Sequence, residues 1–253
     1  MSYLVCWYAY NSIMSQSQRI SIKRLFIEAT AIVVSILFAF AIDAWWEDRG
    51  DREAEQKLLK RLRADFVEIR EAVVFNQQEH LEANSACIAL LNLPDGEPLP
   101  HSFEVDRMVA VVFLTSRTFN PGSGAVAAFL NGEGARLIRS PELADRLLAW
   151  PGLVEELQEE DVFLQKGLAE RWIPFLTSRV SIGPFLATYP NIMSDIPGQV
   201  ANPVYRELLL ADLTFKNMVM DRYKFQAIVL RDIEPLRIAS EDILQLLDKE
   251  IRD

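Results

Sequence analysis

The stretch LKRLRADFVEIREAVVFNQQEHLEANSACIAL, residues 59–90, decides the fold. Its apolar residues recur at alternating intervals of three and four, the spacing that places side chains on one face of a helix. A heptad pattern sustained over this length predicts a long helix that packs against another helix, as in a coiled coil. The positions of the pattern, called the seam below, are Leu59, Leu62, Phe66, Ile69, Val73, Asn76, His80, Ala83, Cys87 and Leu90.

A second informative stretch precedes the seam: LFIEATAIVVSILFAFAI, residues 25–42, in which Glu28 is the only charged residue. Extended through Trp46 as a helix, it would reach roughly 33 Å, which matches the hydrocarbon core of a bilayer plus one interface. Trp45 and Trp46 would then lie at the level of the lipid headgroups, where aromatic side chains are enriched. We therefore expect a transmembrane helix over residues 25–46, in contact with the lipid bilayer.

Two other interpretations of residues 25–46 are open. A buried core helix is disfavoured because apolar side chains cover every face and leave no polar side for water. A cleavable signal peptide fits the basic residues before the stretch and the sequence Ala39-Phe40-Ala41, but Glu28 interrupts its apolar region. Glu28 itself either pairs with Arg24, one turn earlier, or contacts a partner inside the bilayer.

The charges on either side of the span bear on its orientation. Residues 1–24 hold three basic residues and no acid, whereas the six basic residues in 44–63 are interleaved with five acids. The count of basic residues alone argues against a cytoplasmic N-terminus, because more of them follow the span than precede it. The basic residues before the span are unopposed by acids, however, and this favours a cytoplasmic N-terminus. We expect a short cytoplasmic segment at 1–24 and an extramembrane domain at 47–253 in the periplasm, with the span in a bacterial inner membrane. The aromatic-rich residues before Met14 either precede the true initiator or form an interfacial or partner-bound segment.

Prolines and glycines divide the extramembrane domain into helical segments. Pro94 follows the seam and is expected to end the first helix. Trp150-Pro151-Gly152 is expected to end or kink a later helix, and Pro235 to kink the last one. The layout is a stalk over 47–93, short helices in 101–173, a proline-rich loop over 174–202 that cannot be a regular helix, and a final helix over 203–251.

The stalk and the final helix are nearly equal in length, and each carries an apolar strip that needs a partner. On the final helix the strip is Leu208, Ala211, Phe215, Met218, Phe225 and Val229. Antiparallel packing would bury both strips within one chain; the opposing arrangement is a parallel homodimer of stalks. The predicted fold class is all-α: a single transmembrane helix that continues into an elongated antiparallel helical bundle with long first and last helices.

The proline-rich loop is unusually apolar. A loop of this length and composition is expected to pack on its own domain or on a partner. The candidate partner or interface residues of the chain are Glu28, Trp45, Trp46, Phe185, Tyr189, Ile192 and Met193.

Several polar residues could carry chemistry, and each has a simpler structural interpretation. Asn76 and His80 either fix the register of the bundle or, for His80, sense pH or bind a ligand. Cys87 is expected to be a small core residue because no motif places a histidine beside it. The acidic run is expected to be a solvated helix face; its members are Glu155, Glu156, Glu159, Glu160 and Asp161.

Composition argues against several classes of protein. The chain has 26 Lys and Arg, 36 Asp and Glu and a formal net charge of −10, with no basic stripe, which argues against nucleic-acid binding. The two His and two Cys form no cluster with the spacing of zinc ligands, and two Cys are too few for a disulfide framework. The motifs of phosphate loops, nucleophile elbows and zinc proteases are missing from the sequence. We expect no cofactor and no metal.

Residues 27–66 and 118–162 resemble an uncharacterised family of bacterial membrane-anchored proteins. The first block is similar in the acidic residue that opens the span, Glu28, and in the exit residues Trp46, Glu47 and Arg49. The second is similar in its Thr-Phe-x-Pro start at 118–121, its glycine-rich break and its Leu-Ile-Arg-x-Pro-Glu-Leu helix entry at 137–143. These are turn and cap signals, so the resemblance implies an anchored helical fold and no known activity.

The sequence favours a non-enzymatic, single-pass membrane protein that acts as an accessory subunit or scaffold and binds membrane-protein partners. The alternative is a periplasmic sensor or a cryptic hydrolase. A hydrolase would have to bring Ser123, His101 and an acid such as Asp106 together without any motif.

Overall fold

The computed structural model describes residues 22–93, 102–122, 124–132, 134–189 and 209–251. Within these ranges the chain is helical apart from short connections, and none of these residues lies in a β-strand. The predicted all-α class is confirmed.

The first and last helices are the longest, with 70 and 38 residues. A π-helical turn, Leu168–Trp172, links two of the shorter helices. In chain order the helices are α1 (Ile22–Leu91), α2 (Ser102–Leu114), α3 (Gly124–Asn131), α4 (Gly134–Leu137), α5 (Pro141–Gly167), α6 (Ile173–Arg179), α7 (Gly183–Leu186) and α8 (Leu213–Glu250).

The chain separates into two compact units, Met1–Ala54 and Glu55–Asp253. In the first unit, the described residues form the N-terminal part of α1, and their large apolar side chains are exposed. The hydroxyls of Thr30 and Ser35 donate to carbonyl oxygens four residues earlier, at 2.8 Å each, so the helix satisfies its own polar groups. By length and composition, α1 is the one helix in the described ranges that could cross a membrane.

In the second unit, every seam position of α1 is buried. The seam packs against α8, and the polar pairs that flank it run in opposite directions along the two helices. These pairs are Gln56 with the Glu250 carbonyl at 3.0 Å, Arg63 with Asp248 at 2.6 Å and Gln77 with Glu234 at 3.1 Å. The predicted antiparallel packing of the first and last helices is therefore confirmed within one chain.

Helix α5 completes the core of the second unit. It packs along α8, and Trp150 meets Phe66 of α1 edge to face, with ring centroids 5.1 Å apart. Of the two expectations for Trp150-Pro151-Gly152, an end or a kink of the helix, the end is wrong, because α5 continues through Pro151 to Gly167. Burial of Leu147, Trp150 and Leu157 on both sides of the proline offsets the backbone hydrogen bond that proline cannot make.

The proline-rich region begins as two short helices, so the prediction that residues 174–202 lack regular helix is wrong for its first part. Pro174 and Pro184 lie in the first turns of α6 and α7, where a helix needs no backbone N–H. Helix α8 begins at Leu213, where the Asp212 carboxylate accepts from the Thr214 N–H at 2.7 Å. The expected start of the final helix at Asn202-Pro203 lies outside the described residues.

Candidate functional site: a buried polar layer beside a cavity

Where one stretch of the seam packs against α8, both helices contribute buried polar side chains. Asn76 and His80 of α1 and Arg222 and Gln226 of α8 are all buried, with at most 3 % of each exposed. They occupy seam positions because helical periodicity carries them there, three and four residues from apolar neighbours. We call these four residues the polar layer.

The strip predicted on the final helix misses half of this layer. Phe215 and Val229 are buried as expected, but Ala211 is exposed, Met218 and Phe225 are only half-buried, and Leu208 is outside the described residues. In place of Met218 and Phe225, the next residues along the chain, Val219 and Gln226, are buried. The buried residues in this part of α8 are Phe215, Val219, Arg222, Gln226 and Val229.

The Gln226 amide lies between Arg222 and His80, and its oxygen and nitrogen are assigned so that the oxygen faces the arginine donors and the nitrogen faces the imidazole. Its oxygen accepts from Arg222 Nη2 at 2.9 Å and from Nε at 3.2 Å, and its nitrogen donates to His80 Nδ1 at 2.6 Å. A ring that accepts at Nδ1 carries its proton at Nε2, and that nitrogen is buried without a partner. Burial lowers the pKa of His80, which keeps the ring neutral at physiological pH.

Arg222 is a buried cation. Only 1 % of the residue is exposed, and burial lowers the pKa of its guanidinium to about 10, so it keeps its charge at neutral pH. Its Nη2 donates to the Thr115 carbonyl at 2.7 Å, and its Nη1 has no hydrogen-bond partner. Among the residues described, no carboxylate forms an ion pair with Arg222, and burial is the main influence on the pKa of its guanidinium.

The π-helical turn supplies the aromatic wall of this site. Trp172, the last residue of the turn, lies with its ring centroid 5.0 Å from the Arg222 guanidinium carbon, which is the geometry of a cation–π contact. The ring also covers Gly167, where a Cβ atom would be 2.8 Å from Trp172 Cη2. Only glycine at 167 allows this close approach.

A cavity of about 500 Å³ lies beside the polar layer. His80, Ser116, Arg222 and Gln226 contribute polar groups, and Ala83, Val111 and Leu114 contribute apolar surface. The cavity reaches the protein surface at two exposed ion pairs, Arg107 with Glu82 at 2.8 Å and Arg117 with Glu79 at 3.7 Å. Its volume is that of a small-molecule site.

The candidate interface residues of the first unit are all exposed. Glu28 pairs with Arg24 at 3.0 Å, which is the first of its two predicted roles. Trp45 and Trp46 contact each other edge to face at 5.1 Å, and Arg49 lies 5.9 Å from the Trp45 ring centroid. A role for these residues in partner binding stays a prediction.

The four candidate interface residues from the proline-rich region do not share one location. Phe185 is fully buried in the hydrophobic core, so it packs on its own domain. Tyr189 is half-buried and lines the cavity, and burial raises the pKa of its phenol. Ile192 and Met193 lie outside the described residues. Cys87 is fully buried, and burial raises the pKa of its thiol to about 12, in keeping with a core residue.

One member of the acidic run does not lie on a solvated face, so that prediction is wrong for Asp161. The residue is 1 % exposed, and its Oδ2 accepts from the Phe119 N–H at 2.8 Å while Oδ1 has no partner. Burial raises the pKa of Asp161 to about 6. The carboxylate is used to hold the segment after α2 against α5, helped by Gln158, which donates to the Phe119 carbonyl at 3.1 Å.

Of the three hydrolase candidates, Asp106 alone lies in the described residues. Asp106 is buried, whereas His101 and Ser123 lie outside the described ranges. In those ranges no group of three His, Cys, Asp or Glu side chains could hold a metal ion. The cavity beside Arg222 is therefore the candidate functional site.

No protein-family model, no curated protein and no solved structure matches the chain.

Proposed function

We propose that this protein is a non-enzymatic, single-pass membrane protein, an accessory subunit or scaffold that binds partner proteins at a membrane surface. The observation that carries the proposal is the apolar segment over residues 25–46, none of which is buried within the described structure. An apolar surface of this extent in water is a liability, and a bilayer is the solvent that satisfies it on every side.

The proposed membrane is a bacterial inner membrane, with residues 1–24 in the cytoplasm and the helical domain in the periplasm. The support is the distribution of charge: three unopposed basic residues precede the span, and mixed charges follow it. The resemblance to membrane-anchored bacterial proteins agrees with this assignment.

A narrow apolar strip on α1 supports a protein partner. Val74, Leu81 and Ile88 are 37 %, 48 % and 43 % exposed and are spaced seven residues apart, so they share one face of the helix away from the seam. A second helix could bury this strip as one helix of a coiled coil buries another. The partner would therefore present a helix with apolar residues at heptad spacing.

Photo-crosslinking in native membranes tests the proposal. A photoreactive amino acid at Leu81 should give one discrete adduct with another membrane protein, identified by mass spectrometry. The matched control is Leu148, which is 54 % exposed on α5 and lies outside the strip. Equal labelling at both positions, or no adduct at Leu81, would contradict the scaffold proposal.

Membrane anchoring is tested separately. The protein should stay in the pellet after alkaline carbonate extraction, and a Val34→Arg, Phe38→Arg double variant should be released, because each arginine costs about 2.5–3.5 kcal/mol at the centre of a span. Retention of the double variant would mean that residues 25–46 do not anchor the chain.

A periplasmic sensor is the second candidate, and the cavity beside Arg222 favours it. A sensor binds a small molecule and passes the event to a partner, whereas a scaffold needs no ligand. A change in the Leu81 adduct when the cavity is filled would favour the sensor.

A further inference from the structure

The polar layer holds a positive charge that the described structure does not balance. A buried guanidinium is costly unless a carboxylate or several acceptors compensate it. Arg222 receives compensation from two oxygens, the Thr115 carbonyl and the Gln226 amide, and neither carries a charge. Nη1 of the same guanidinium is buried without an acceptor.

The unpartnered polar groups that line the cavity can all donate a hydrogen bond, whereas Asn76 Oδ1, an unpartnered acceptor of the polar layer, does not line it. His80 Nε2 carries the ring proton because Nδ1 accepts from Gln226, and it has no acceptor. The Ser116 hydroxyl is also buried without a partner. Arg222, His80 and Ser116 all line the same cavity. Three donors without an acceptor, one of them on a cation, are complementary to an anion.

The surface entrance does not oppose this charge pattern. Glu79 and Glu82 would repel an anion, but each is paired with an arginine, Arg117 and Arg107 respectively. The net attraction therefore comes from Arg222. The apolar surface of Val111 and Leu114 leaves room for the carbon skeleton of a ligand.

We propose that this cavity binds a small organic anion, whose carboxylate or phosphate oxygens are held by Arg222, His80 and Ser116. The guanidinium supplies the charge and the directional N–H groups that match an oxyanion. The neutral imidazole and the hydroxyl each donate one hydrogen bond. The Trp172 ring, whose centroid lies 5.0 Å from the guanidinium carbon, holds the guanidinium in place.

Thermal unfolding of the full chain in mild detergent tests the proposal, with inorganic phosphate, succinate and butyrate as probes. In a Cys6→Ser background, exposure of the buried Cys87 thiol to a maleimide dye reports unfolding. A bound probe at ten times its Kd should raise the Tm by roughly 3–6 °C and the rise should saturate. Phosphate also stabilises proteins without binding a site, but that effect does not saturate. Sodium chloride at matched ionic strength is the reference.

Variants test whether the saturable rise in Tm depends on the cavity beside Arg222. Arg222→Met should abolish the saturable shift, whereas Arg231→Met, an exposed arginine of the same helix that pairs with Asp232, should keep it. If Arg222→Met does not fold, Ser116→Val decides: loss of one hydrogen bond to a charged ligand should weaken binding roughly tenfold.

Each outcome has a definite meaning. Saturation by phosphate alone identifies a phosphorylated ligand, and saturation by the carboxylates alone identifies an organic acid. Absence of a saturable shift with every probe, or the same shift in wild type and Arg222→Met, overturns the proposal. The crosslinking test at Leu81 does not depend on any of these results.

Discussion

The two halves of the seam obey the same spacing and differ in chemistry. From Leu59 to Val73 every position is apolar, and α8 faces this half with buried residues such as Leu236, Ile243 and Leu247. From Asn76 onward the seam is equally buried, but it includes the polar layer and borders the cavity. Burial of the seam is therefore the same in both halves of the bundle. The change from apolar to polar side chains marks the half in which we propose that a ligand binds.

The largest effect that separates the two halves should follow from Phe66→Ala. Phe66 is fully buried and contacts Trp150 edge to face, so truncation leaves a cavity where α1, α5 and α8 meet. We expect a loss of about 3–5 kcal/mol in the free energy of unfolding, measured by denaturant titration in detergent. Asn76→Ala, in the polar half, should cost only about 1 kcal/mol, because Asn76 Oδ1 has no partner to lose. Equal losses would mean that the polar half contributes as much stability as the apolar half.

Two glycines of α5 give a smaller and sharper test. At Gly167 a Cβ atom would be 2.8 Å from the Trp172 ring, whereas at Gly152 nothing lies within 4 Å. Gly167→Ala should displace the tryptophan from Arg222, at a cost of about 1–3 kcal/mol in unfolding free energy and with weaker anion binding. Gly152→Ala should instead stabilise the helix by about 0.5–1 kcal/mol.

If Gly167→Ala is as stable as Gly152→Ala, the π-helical turn is not held by the contact between Gly167 and Trp172. If it is destabilised but binds the probes as well as wild type, Trp172 does not fix Arg222. Unfolding free energy and probe affinity of the two variants therefore report on different contacts.

The sequence was sufficient to predict the fold class, the seam and the antiparallel partner of the seam. It was sufficient because the buried residues of α1 recur at heptad spacing, and because the part of α1 after Gln56 is about as long as α8, which brings Gln56 to the Glu250 carbonyl. The sequence was insufficient to predict the buried face of α8, because Arg222 and Gln226 are polar and do not contribute to an apolar periodicity. Their positions between Val219 and Val229, at intervals of three and four, were the available signal.

The candidate site was less predictable than the fold. His80 was singled out, but its partners come from α8 and from the segment after α2, and no local pattern joins them. The acidic neighbours of Asp161 predict a surface position, but the residue lies at helical spacing from the buried Leu157 and Leu164, and its carboxylate accepts from a distant backbone N–H. Unpartnered donors and an unbalanced charge are properties of three-dimensional packing and have no signature in sequence spacing.

The smallest expected effect is a difference in the pH dependence of stability between wild type and His80→Asn. The asparagine oxygen takes the place of Nδ1 as acceptor for Gln226, so the polar layer keeps its hydrogen bond but loses its titrating group. In the folded state burial lowers the pKa of His80 below its ordinary value of 6.5, and the Arg222 charge acts in the same direction.

Below pH 6.5 the unfolded chain therefore binds more protons at His80 than the folded chain does. Stability from this residue is fully present above pH 6.5 and is lost as the pH falls through 6.5 toward the lowered pKa of the folded state. Asp161 has the opposite sign, because its pKa is raised from 3.8 to about 6 and its contribution is lost as the pH rises through that range. Both proteins contain Asp161, so its effect cancels when the two unfolding free energies are subtracted at each pH from 5 to 8. Wild type should lose stability relative to His80→Asn as the pH decreases in this range. Parallel curves would mean that His80 is protonated as easily in the folded chain as in water, and that its Nε2 is not a neutral donor in the polar layer.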